Sequence, residues 1–342
     1  MNEVPVARSL RAVPLPETSV EQNSHLYGWS ANLQLPVIWW RNYKTMTPLI
    51  EFRDISVHFP VPRGLSDWLH RIPHQEICAM ERVNITVHRG EIHAIVGESG
   101  SGKSTLARVA TRLQIPTQGQ IYMNGEDVTI LRSRAAMRDY RSRVQMIFQD
   151  PFSSLNPSQT IFAHVAEPLI INGTSGDAKN LSDKVLATLA LAGLRPAEIF
   201  AQRYPDELSG GQRQRAVIAG ALVMEPELVI ADEPVSMLDV SVRAEILKLM
   251  LELRAARGLA YIFITHDLHL AAAIADRVSV MRRGRVIESG LPSEVLKNPT
   301  EDYTRQLLAS APTLDEALER RAARNLHAGS LSPPAVARNV QS

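Results

Sequence analysis

The chain has 342 residues, of which 45% are apolar, and a formal net charge of +1. This near-neutral balance gives no bulk electrostatic case for binding nucleic acid or an anionic membrane surface. Cys78 is the single cysteine, which excludes an internal disulfide framework and any site built from several cysteines, and no apolar run approaches the roughly 20 residues of a membrane-spanning helix.

The first 47 residues show no sustained periodicity and contain prolines at positions 5, 14, 16 and 36. They also lack the apolar core of a secretory signal. We expect residues 1–47 to be a disordered extension. The apolar island "LPVIWW" leaves one alternative open, which is a short partner-binding segment around Trp39 and Trp40.

Two strands are predicted next, on either side of an irregular linker at about residues 60–78. Apolar residues alternate from Ile50 to Phe59 and again from Val83 to Val87, which is the pattern of half-buried antiparallel strands. The following stretch "IHAIV" is short and apolar, as expected of a strand that is buried on both faces of a sheet.

The stretch "GESGSGKST", Gly97–Thr105, follows that strand directly and matches the pattern G-x-x-x-x-G-K-[ST]. After it, Leu106, Val109, Ala110 and Leu113 recur at the spacing of a helix with one apolar stripe. A glycine-rich loop between a strand and a helix predicts a phosphate cradle, because its backbone N–H groups and the positive end of the helix face the same anion.

Each residue type in this loop suits phosphate chemistry. Glycines allow backbone N–H groups to approach phosphate oxygens without a Cβ in the way. Lys103 supplies a positive charge for the β- and γ-phosphates, and Ser104 offers a hydroxyl to Mg²⁺. The predicted nucleotide contacts are Gly97, Glu98, Ser99, Gly100, Ser101, Gly102, Lys103, Ser104 and Thr105.

The stretch "LVIADEP" supplies the second half of a nucleotide site. Its four apolar residues predict a buried strand, and Asp232 stands at the carboxyl end, where ligands bind in open α/β sheets. We expect Asp232 to hold Mg²⁺ through water and Glu233 to polarise the attacking water.

The stretch "LSGGQRQR" predicts a second anion site on the same chain. Ser209, Gly210 and Gly211 open a predicted helix that runs to about Val223, and a glycine-rich helix start exposes backbone donors. One nucleotide does not easily engage two phosphate sites on one face of one chain. The second site therefore indicates a composite site formed between two chains.

With these motifs, residues 48–312 resemble the ATP-binding subunits of ABC transporters. "GESGSGKST" resembles the Walker A loop, "LVIADE" the Walker B strand with its catalytic glutamate, and "LSGGQ" the family signature. The resemblance implies that the signature contacts the ATP held by a second chain. The implied contacts are Ser209, Gly210, Gly211 and Gln212.

The same resemblance implies roles at four further positions. Gln149 in "MIFQDP" corresponds to the Q-loop glutamine, which touches Mg²⁺ and the attacking water. His266 in "FITHDL" corresponds to the switch histidine, which contacts the γ-phosphate. Asp239 in "SMLD" belongs to the D-loop at the nucleotide, and Phe59 falls where the family places an aromatic residue that stacks on adenine.

Three further stretches point to one branch of the family. "FQDPFSSLNP", "DEPVSMLDVS" and "NPTEDYTRQLLASAP" resemble sequences of the peptide/nickel importers, and in particular the second of their two paired ATPase subunits. That branch imports dipeptides, oligopeptides, nickel and opines, and some members serve oligosaccharide systems. Met237 departs from the alanine most common in the D-loop, and Gly220 from the arginine usual in the signature helix. The motifs do not choose among these solutes.

The expected fold class is α/β, with a P-loop NTPase core on a mixed sheet, an antiparallel β subdomain and a helical signature subdomain. The ATPase domain is expected over residues 48–312, with the helical subdomain at about 155–225 and an importer-family segment at 285–312. Residues 313–342 are expected to be a tail that begins as a helix and ends disordered.

The resemblance implies ATP and Mg²⁺ as cofactors, and a second ABC ATPase subunit and two membrane-spanning permease subunits as partners. An extracytoplasmic solute-binding protein acts indirectly, and no nucleic acid is involved. The chain is expected at the cytoplasmic face of the inner membrane, held there by the permease. A non-transport alternative stays open, in which the chain is the ATPase of a cytosolic complex such as one for phosphonate breakdown.

The segment Asp150–Pro157 is the predicted contact with the permease. Its sequence "DPFSSLNP" alternates turn-forming residues with Phe152 and Leu155. We expect both apolar side chains to be exposed and to receive a short cytoplasmic helix of the permease. The alternative is that both side chains pack into the helical subdomain.

Overall fold

The computed structural model describes residues 47–60, 76–174 and 176–310. The predictions for residues 1–46, including Trp39 and Trp40, and for the tail at 313–342 lie outside these ranges. The strands of the described residues are β1 Ile50–Pro60, β2 Glu76–Val87, β3 Ile92–Val96, β4 Gln118–Met123, β5 Glu126–Asp127, β6 Val144–Ile147, β7 Leu228–Asp232, β8 Ala260–Thr265, β9 Arg277–Arg282 and β10 Arg285–Gly290.

These strands form two sheets. An antiparallel sheet has the order β2-β1-β4-β5, and a six-stranded sheet has the order β10-β9-β3-β8-β7-β6. In the larger sheet β10 pairs antiparallel with β9 and the other pairs are parallel. The prediction of a mixed sheet with an antiparallel β layer is confirmed. Strand β2 already begins at Glu76, within the stretch predicted as linker.

The helices of the described residues flank the sheets. They are α1 Lys103–Ala110, α2 Arg134–Arg143, α3 Pro151–Ser154, α4 Ile161–Asn172, α5 Ala178–Leu191, α6 Ala197–Gln202, α7 Gly210–Leu222, α8 Val240–Arg257, α9 Leu268–Ile274, α10 Pro292–Lys297 and α11 Asp302–Ser310. Several helices are capped at their N-terminus by a side-chain oxygen. Thr160 accepts from the N–H of Ala163, and Asp177 accepts from that of Asn180, which satisfies donors that the first helical turn leaves free. None of these helices has both the length and the apolar character needed to cross a membrane.

Strands β3, β7 and β8 are the centre of the fold. Every residue in each of the three is buried, as the apolar runs of β3 and β7 predicted, because helices cover both faces of a parallel sheet. Their carboxyl ends therefore meet at one edge of the sheet, with β6 beside them in the order β3-β8-β7-β6.

The helix after the glycine-rich loop is shorter than its apolar stripe predicted. Leu106, Val109 and Ala110 are buried, but Leu113 is 56% exposed and the prediction for it is wrong. Helix α1 ends at Ala110, and Arg112 takes a positive φ of 56° that turns the chain away. Leu113 therefore lies past the end of the helix, on the surface.

Helices α4 to α7 pack into a hydrophobic cluster of their own. Val185 and Leu189 of α5 are fully buried there. Leu155 belongs to the same cluster and is only 6% exposed, so the prediction that it is exposed is wrong. Phe152 is 57% exposed, as predicted. The two apolar residues of "DPFSSLNP" thus have different surroundings, because the chain passes into the helical layer between them.

Candidate active site

The glycine-rich loop lies at the carboxyl end of β3 and leads into α1. Gly102 is the N-cap residue of this helix and has a φ of 106°. A Cβ on Gly102 would lie 2.8 Å from the carbonyl oxygen of Ala79, and a Cβ on Gly97 would lie 2.3 Å from that of Met281. Any larger residue at either position would therefore clash with neighbouring backbone. This packing is a second reason for the two glycines, besides the close approach of phosphate that the sequence predicted. A Cβ on Gly100 would meet no atom within 4 Å, so this part of the loop faces open space.

Lys103 is buried inside the loop. Its Nζ donates to the carbonyl oxygens of Gly97, at 2.6 Å, and Glu98, at 2.8 Å. Burial lowers the pKa of the ammonium group, and the nearby carboxylates of Glu233 and Asp232 oppose that shift. Lys103 is thus a charged donor that lies in the loop and faces two carboxylates across the site.

The hydroxyl of Ser101 is a further polar group in the loop. Ser101 is 4% exposed, and its Oγ has no hydrogen-bond partner among the described residues. A buried hydroxyl without a partner is costly unless something else bonds to it. This orphaned donor fits a loop that closes around the oxygens of an anion.

Asp232 ends β7 as a buried carboxylate, 8% exposed. Burial raises the pKa of its carboxyl above the ordinary value, Glu233 adds to the rise, and a hydrogen bond from Ser104 and the charge of Lys103 oppose it. Asp232 and Ser104 are therefore adjacent. Their oxygen donors are of the kind that Mg²⁺ prefers.

Three of the predicted residues meet at one carboxylate oxygen. Oε2 of Glu233 accepts from Nε2 of Gln149 at 3.1 Å and lies 3.3 Å from Nδ1 of His266. The sheet explains this meeting, because Gln149, Glu233 and His266 follow the neighbouring parallel strands β6, β7 and β8. His266 is mostly exposed, whereas the side chain of Glu233 is 16% exposed.

The backbone of Glu233 is unusual. Its φ is 47°, in the left-handed region that non-glycine residues seldom occupy, and its N–H donates to the carbonyl oxygen of Ile264 at 2.9 Å. This bond extends the pairing of β7 with β8 by one residue. The conformation then turns the side chain toward Gln149 and His266, at a cost in strain of about 1–3 kcal/mol.

The signature begins α7 with a reciprocal cap. Ser209 Oγ accepts from the N–H of Gln212 at 3.3 Å, and Gln212 Oε1 accepts from the N–H of Ser209 at 3.0 Å. A Cβ on Gly211 would lie 2.6 Å from a methyl group of Val242, and one on Gly210 would lie near Leu238. A Cβ on Gly220 would meet no atom within 4 Å. The glycine that replaces the usual arginine of the signature helix therefore lies where there is room for a side chain.

The structure does not bring the signature to the glycine-rich loop. Within the described residues, no hydrogen bond or ion pair joins Ser209–Gln212 to Gly97–Thr105. Asp239 stands exposed at the start of α8, with no side-chain cap bond. Met237 beside it is 58% exposed. Asp239 and Met237 of the D-loop are thus open to solvent in the single chain.

Phe59 lies near the loop through the antiparallel sheet. It pairs with Ile77 in the β1–β2 ladder, two residues before Ala79, whose carbonyl oxygen adjoins Gly102. The ring is half-buried and packs on the main core. Its role toward adenine stays a prediction.

Two contacts at the site were missed by the sequence reasoning. The N–H of Glu98 donates to the phenolic oxygen of Tyr303 at 3.0 Å, and the guanidinium of Arg213 lies 4.4 Å from the ring centre of Phe152. Tyr303 belongs to the motif "NPTEDYTRQLLASAP", for which the sequence predicts no contact. Residues so far apart in the chain leave no local pattern that could have predicted either contact.

Solved structures with this fold are ATP-binding cassettes. A dimeric ATP-binding cassette in a post-hydrolysis state, bound to ADP and Pi, aligns with a TM-score of 0.61 at 28% identity, over 71% of this chain and 98% of that one. The protein cbiO1 from Clostridium perfringens, part of the ABC transporter complex cbiONQ, aligns with a TM-score of 0.62 at 27% identity, over 83% of this chain and 98% of that one. The fold is thus that of the ABC ATPase class.

Curated relatives extend the similarity over most of the chain. The family model described as ABC transporter matches residues 80–236. The dipeptide transport ATP-binding protein DppF of Haemophilus influenzae is 44% identical, over 81% of this chain and 82% of its own length. The oligopeptide transport ATP-binding protein AppF of Bacillus subtilis is 42% identical, over 84% and 85%. The chain belongs to the ABC transporter family, as an ATP-binding subunit that hydrolyses ATP.

Replacing Asp232 by Asn is expected to raise the thermal midpoint of the nucleotide-free protein while removing ATPase activity. The folded state raises the pKa of this carboxyl from its ordinary 3.8, mainly through burial, so its charge opposes folding at neutral pH. A carboxyl whose pKa is raised by folding favours the folded protein in its protonated form. This stabilisation of the wild type is fully present below about pH 3.8 and is lost as the pH rises through the pKa of the folded state.

The advantage of the Asn variant should therefore shrink as the pH falls toward 4, where the wild-type carboxyl becomes protonated. Thermal unfolding of both proteins between pH 4 and pH 8 measures this difference. A variant less stable than the wild type at pH 8 would show that the carboxylate stabilises the unliganded site.

Proposed function

We propose that this chain energises an ABC importer for peptides or a related small solute such as nickel, an opine or an oligosaccharide. The convergence of Gln149 and His266 on Oε2 of Glu233 carries the hydrolytic part of the proposal. The likeness to dipeptide and oligopeptide transport subunits supports the solute class and favours transport over phosphonate breakdown.

The loop would hold the phosphates of ATP. Lys103 would exchange the carbonyl oxygens of Gly97 and Glu98 for β- and γ-phosphate oxygens, and the unpartnered hydroxyl of Ser101 faces the same loop. Ser99, Ser104 and Thr105 stand at the exposed or half-buried positions of the loop and of the first turn of α1. The aromatic ring of Phe59, near the carboxyl end of β1, would support adenine.

Mg²⁺ fits the oxygen donors on the other side of the loop. Ser104, Asp232 and Gln149 would hold it, Asp232 through water, and the bound cation would neutralise charge on the β- and γ-phosphates. The buried carboxylate of Asp232 suits this role, because a bound cation would offset the burial that raises the pKa of its carboxyl.

Glu233 would orient the attacking water and accept its proton. Its carboxylate is fixed by Nε2 of Gln149 and Nδ1 of His266, and by a backbone conformation that points it into the site. His266 and Lys103 would stabilise the charge that develops on the transferred phosphoryl group. General base catalysis of this kind contributes about 100- to 10,000-fold.

A second ABC ATPase subunit would complete each nucleotide site. The reciprocal cap between Ser209 and Gln212 orients the start of α7, yet no hydrogen bond or ion pair of the described residues joins Ser209–Gln212 to this chain's own loop. Head-to-tail pairing would place the signature and Asp239 of one chain on the ATP of the other. Two permease subunits would hold the pair at the cytoplasmic face of the inner membrane, with a solute-binding protein on the opposite side.

Phe152 is the proposed contact for the permease. Phe152, three residues after Gln149, is 57% exposed, and the guanidinium of Arg213 in the signature helix covers one face of its ring. An apolar ring at this place can receive a short helix and lies between the Q-loop and the signature. Leu155 packs into the hydrophobic cluster of helices α4 to α7 and so anchors the segment Asp150–Pro157 to the helical layer.

The function can be tested with the full transporter. The isolated wild-type chain should be a weak ATPase, and two permease subunits should raise its rate and allow uptake of a labelled dipeptide in cells that lack the native gene. Phe152→Glu should keep the basal rate but lose the stimulation and the uptake, because a buried charge weakens the permease contact. Ile199→Glu, which alters another exposed apolar residue of the helical layer, should behave like the wild type.

The two arms of this experiment separate the two ideas. Absence of any peptide uptake by wild-type transporter would contradict import of peptides. Wild-type uptake by Phe152→Glu would contradict the docking surface and leave the importer function standing.

A further inference from the structure

Helix α11, in the C-terminal part of the described chain, reaches the phosphate-binding loop. Its Tyr303 is only 4% exposed, and its phenolic oxygen accepts from the N–H of Glu98 at 3.0 Å. Tyr303 and Leu307 pack in one cluster with Ala94 of β3 and Val278 of β9. Helix α11 therefore packs against β3, the strand that leads into the glycine-rich loop.

The bond to Tyr303 acts on a particular peptide unit. The carbonyl oxygen of Gly97 accepts from Nζ of Lys103 at 2.6 Å, and the N–H of the same Gly97–Glu98 peptide donates to Tyr303. The C=O and N–H of a trans peptide point in opposite directions. Lys103 therefore holds this peptide plane from one side and Tyr303 holds it from the other.

Tyr303 is itself held in place. The guanidinium of Arg282 lies 4.6 Å from the centre of its ring. The carboxylate of Glu288 in β10 accepts from the N–H of Thr300 at 2.8 Å and from that of Glu301 at 3.3 Å, which secures the start of α11. The hydroxyl thus has a defined position toward the loop.

We propose that Tyr303 is a positioning residue for ATP binding, which fixes the orientation of the Gly97–Glu98 peptide before the nucleotide arrives. A loop that is already ordered loses less conformational entropy on binding. Without the hydroxyl, the peptide plane is held from the Lys103 side alone, and Lys103 leaves it when it moves to the phosphates. Helix α11 is by this contact a part of the nucleotide site.

Tyr303→Phe removes the hydroxyl and keeps the ring under Arg282. We expect the Kd of the full-length protein for ATP to rise by about three- to tenfold, the effect of one lost hydrogen bond. In the assembled transporter KM should rise in step, with kcat unchanged, because the lost bond does not act on the transition state alone. The control is Tyr140→Phe, which removes a buried hydroxyl that donates to the carbonyl oxygen of Ala110, at the far end of α1.

Tyr140→Phe should lower the thermal midpoint and leave the Kd for ATP unchanged. A purely structural role of Tyr303 would give the same pattern in both variants, and that result would overturn the proposal. An unchanged Kd in a folded Tyr303→Phe protein would overturn it equally. Neither result bears on the importer function, since binding is measured on the isolated chain.

Hydrogen exchange at the Glu98 amide gives a second readout that needs no nucleotide. Tyr303→Phe should speed this exchange, while Tyr140→Phe should not. Should the Phe variant fail to fold, Arg282→Met carries the same test through an exposed side chain. Faster exchange at Glu98 in that variant supports the positioning role, and an unchanged rate contradicts it.

Discussion

Replacing Glu233 by Gln is expected to lower the ATPase kcat of the assembled transporter by about 100-fold or more, with ATP affinity within about twofold of the wild type. The amide keeps an oxygen that can accept from Gln149 and contact His266, so the geometry of the site is retained. It cannot accept a proton from water at neutral pH. The variant therefore separates binding from hydrolysis.

Direct binding of ATP and single-turnover hydrolysis measure the two effects. Glu225→Gln is a matched control, because Glu225 is another glutamate with a positive φ, 53° against 47° at Glu233, and lies outside the site. That variant should hydrolyse ATP at the wild-type rate. Wild-type hydrolysis by Glu233→Gln itself would contradict the role of general base.

Lys103→Ala is expected to raise the Kd for ATP by about 10- to 100-fold, which is the cost of losing charge-assisted hydrogen bonds to phosphate. The nucleotide-free loop also changes, since the carbonyl oxygens of Gly97 and Glu98 lose their donor. The effect should appear in the binding step itself, because these contacts exist before any bond is broken.

Equilibrium binding of a fluorescent ATP analogue, with thermal unfolding to check folding, tests this prediction. Lys248→Ala removes an exposed lysine of α8 that pairs only loosely with Glu252, at 3.9 Å, and should leave the Kd unchanged. An unaltered Kd in Lys103→Ala would mean that the loop does not hold phosphate in the way proposed.

Much of the candidate site could be predicted because its motifs are local. A reciprocal cap between Ser209 and Gln212 spans only four residues, so the start of α7 is visible in the letters "SGGQ". A short apolar run ending in Asp232 predicts a buried strand with a polar end, and the structure has that strand. Parallel strands also place their carboxyl ends at one edge, so the neighbourhood of the motifs follows from the fold class.

Other features depended on what lies beside a residue. Leu113 continued the helical spacing but is exposed, because Arg112 leaves the helix with a positive φ. Leu155 and Phe152 are both apolar and close in sequence, yet only Leu155 is buried in the helical layer. Spacing predicts which residues can share a face, but the length of the helix and the neighbouring elements decide which of them are buried.

The sequence by itself determined the class of this protein, since the phosphate loop, the buried acidic strand end and the signature are each encoded within a few residues. Only the tertiary structure decided how they work together. Gln149 and His266 reach one oxygen of Glu233 because β6, β7 and β8 are neighbours. Tyr303 reaches Glu98 across 205 positions, because the packing of α11 on β3 and β9 brings it there, and no local pattern encodes such a contact.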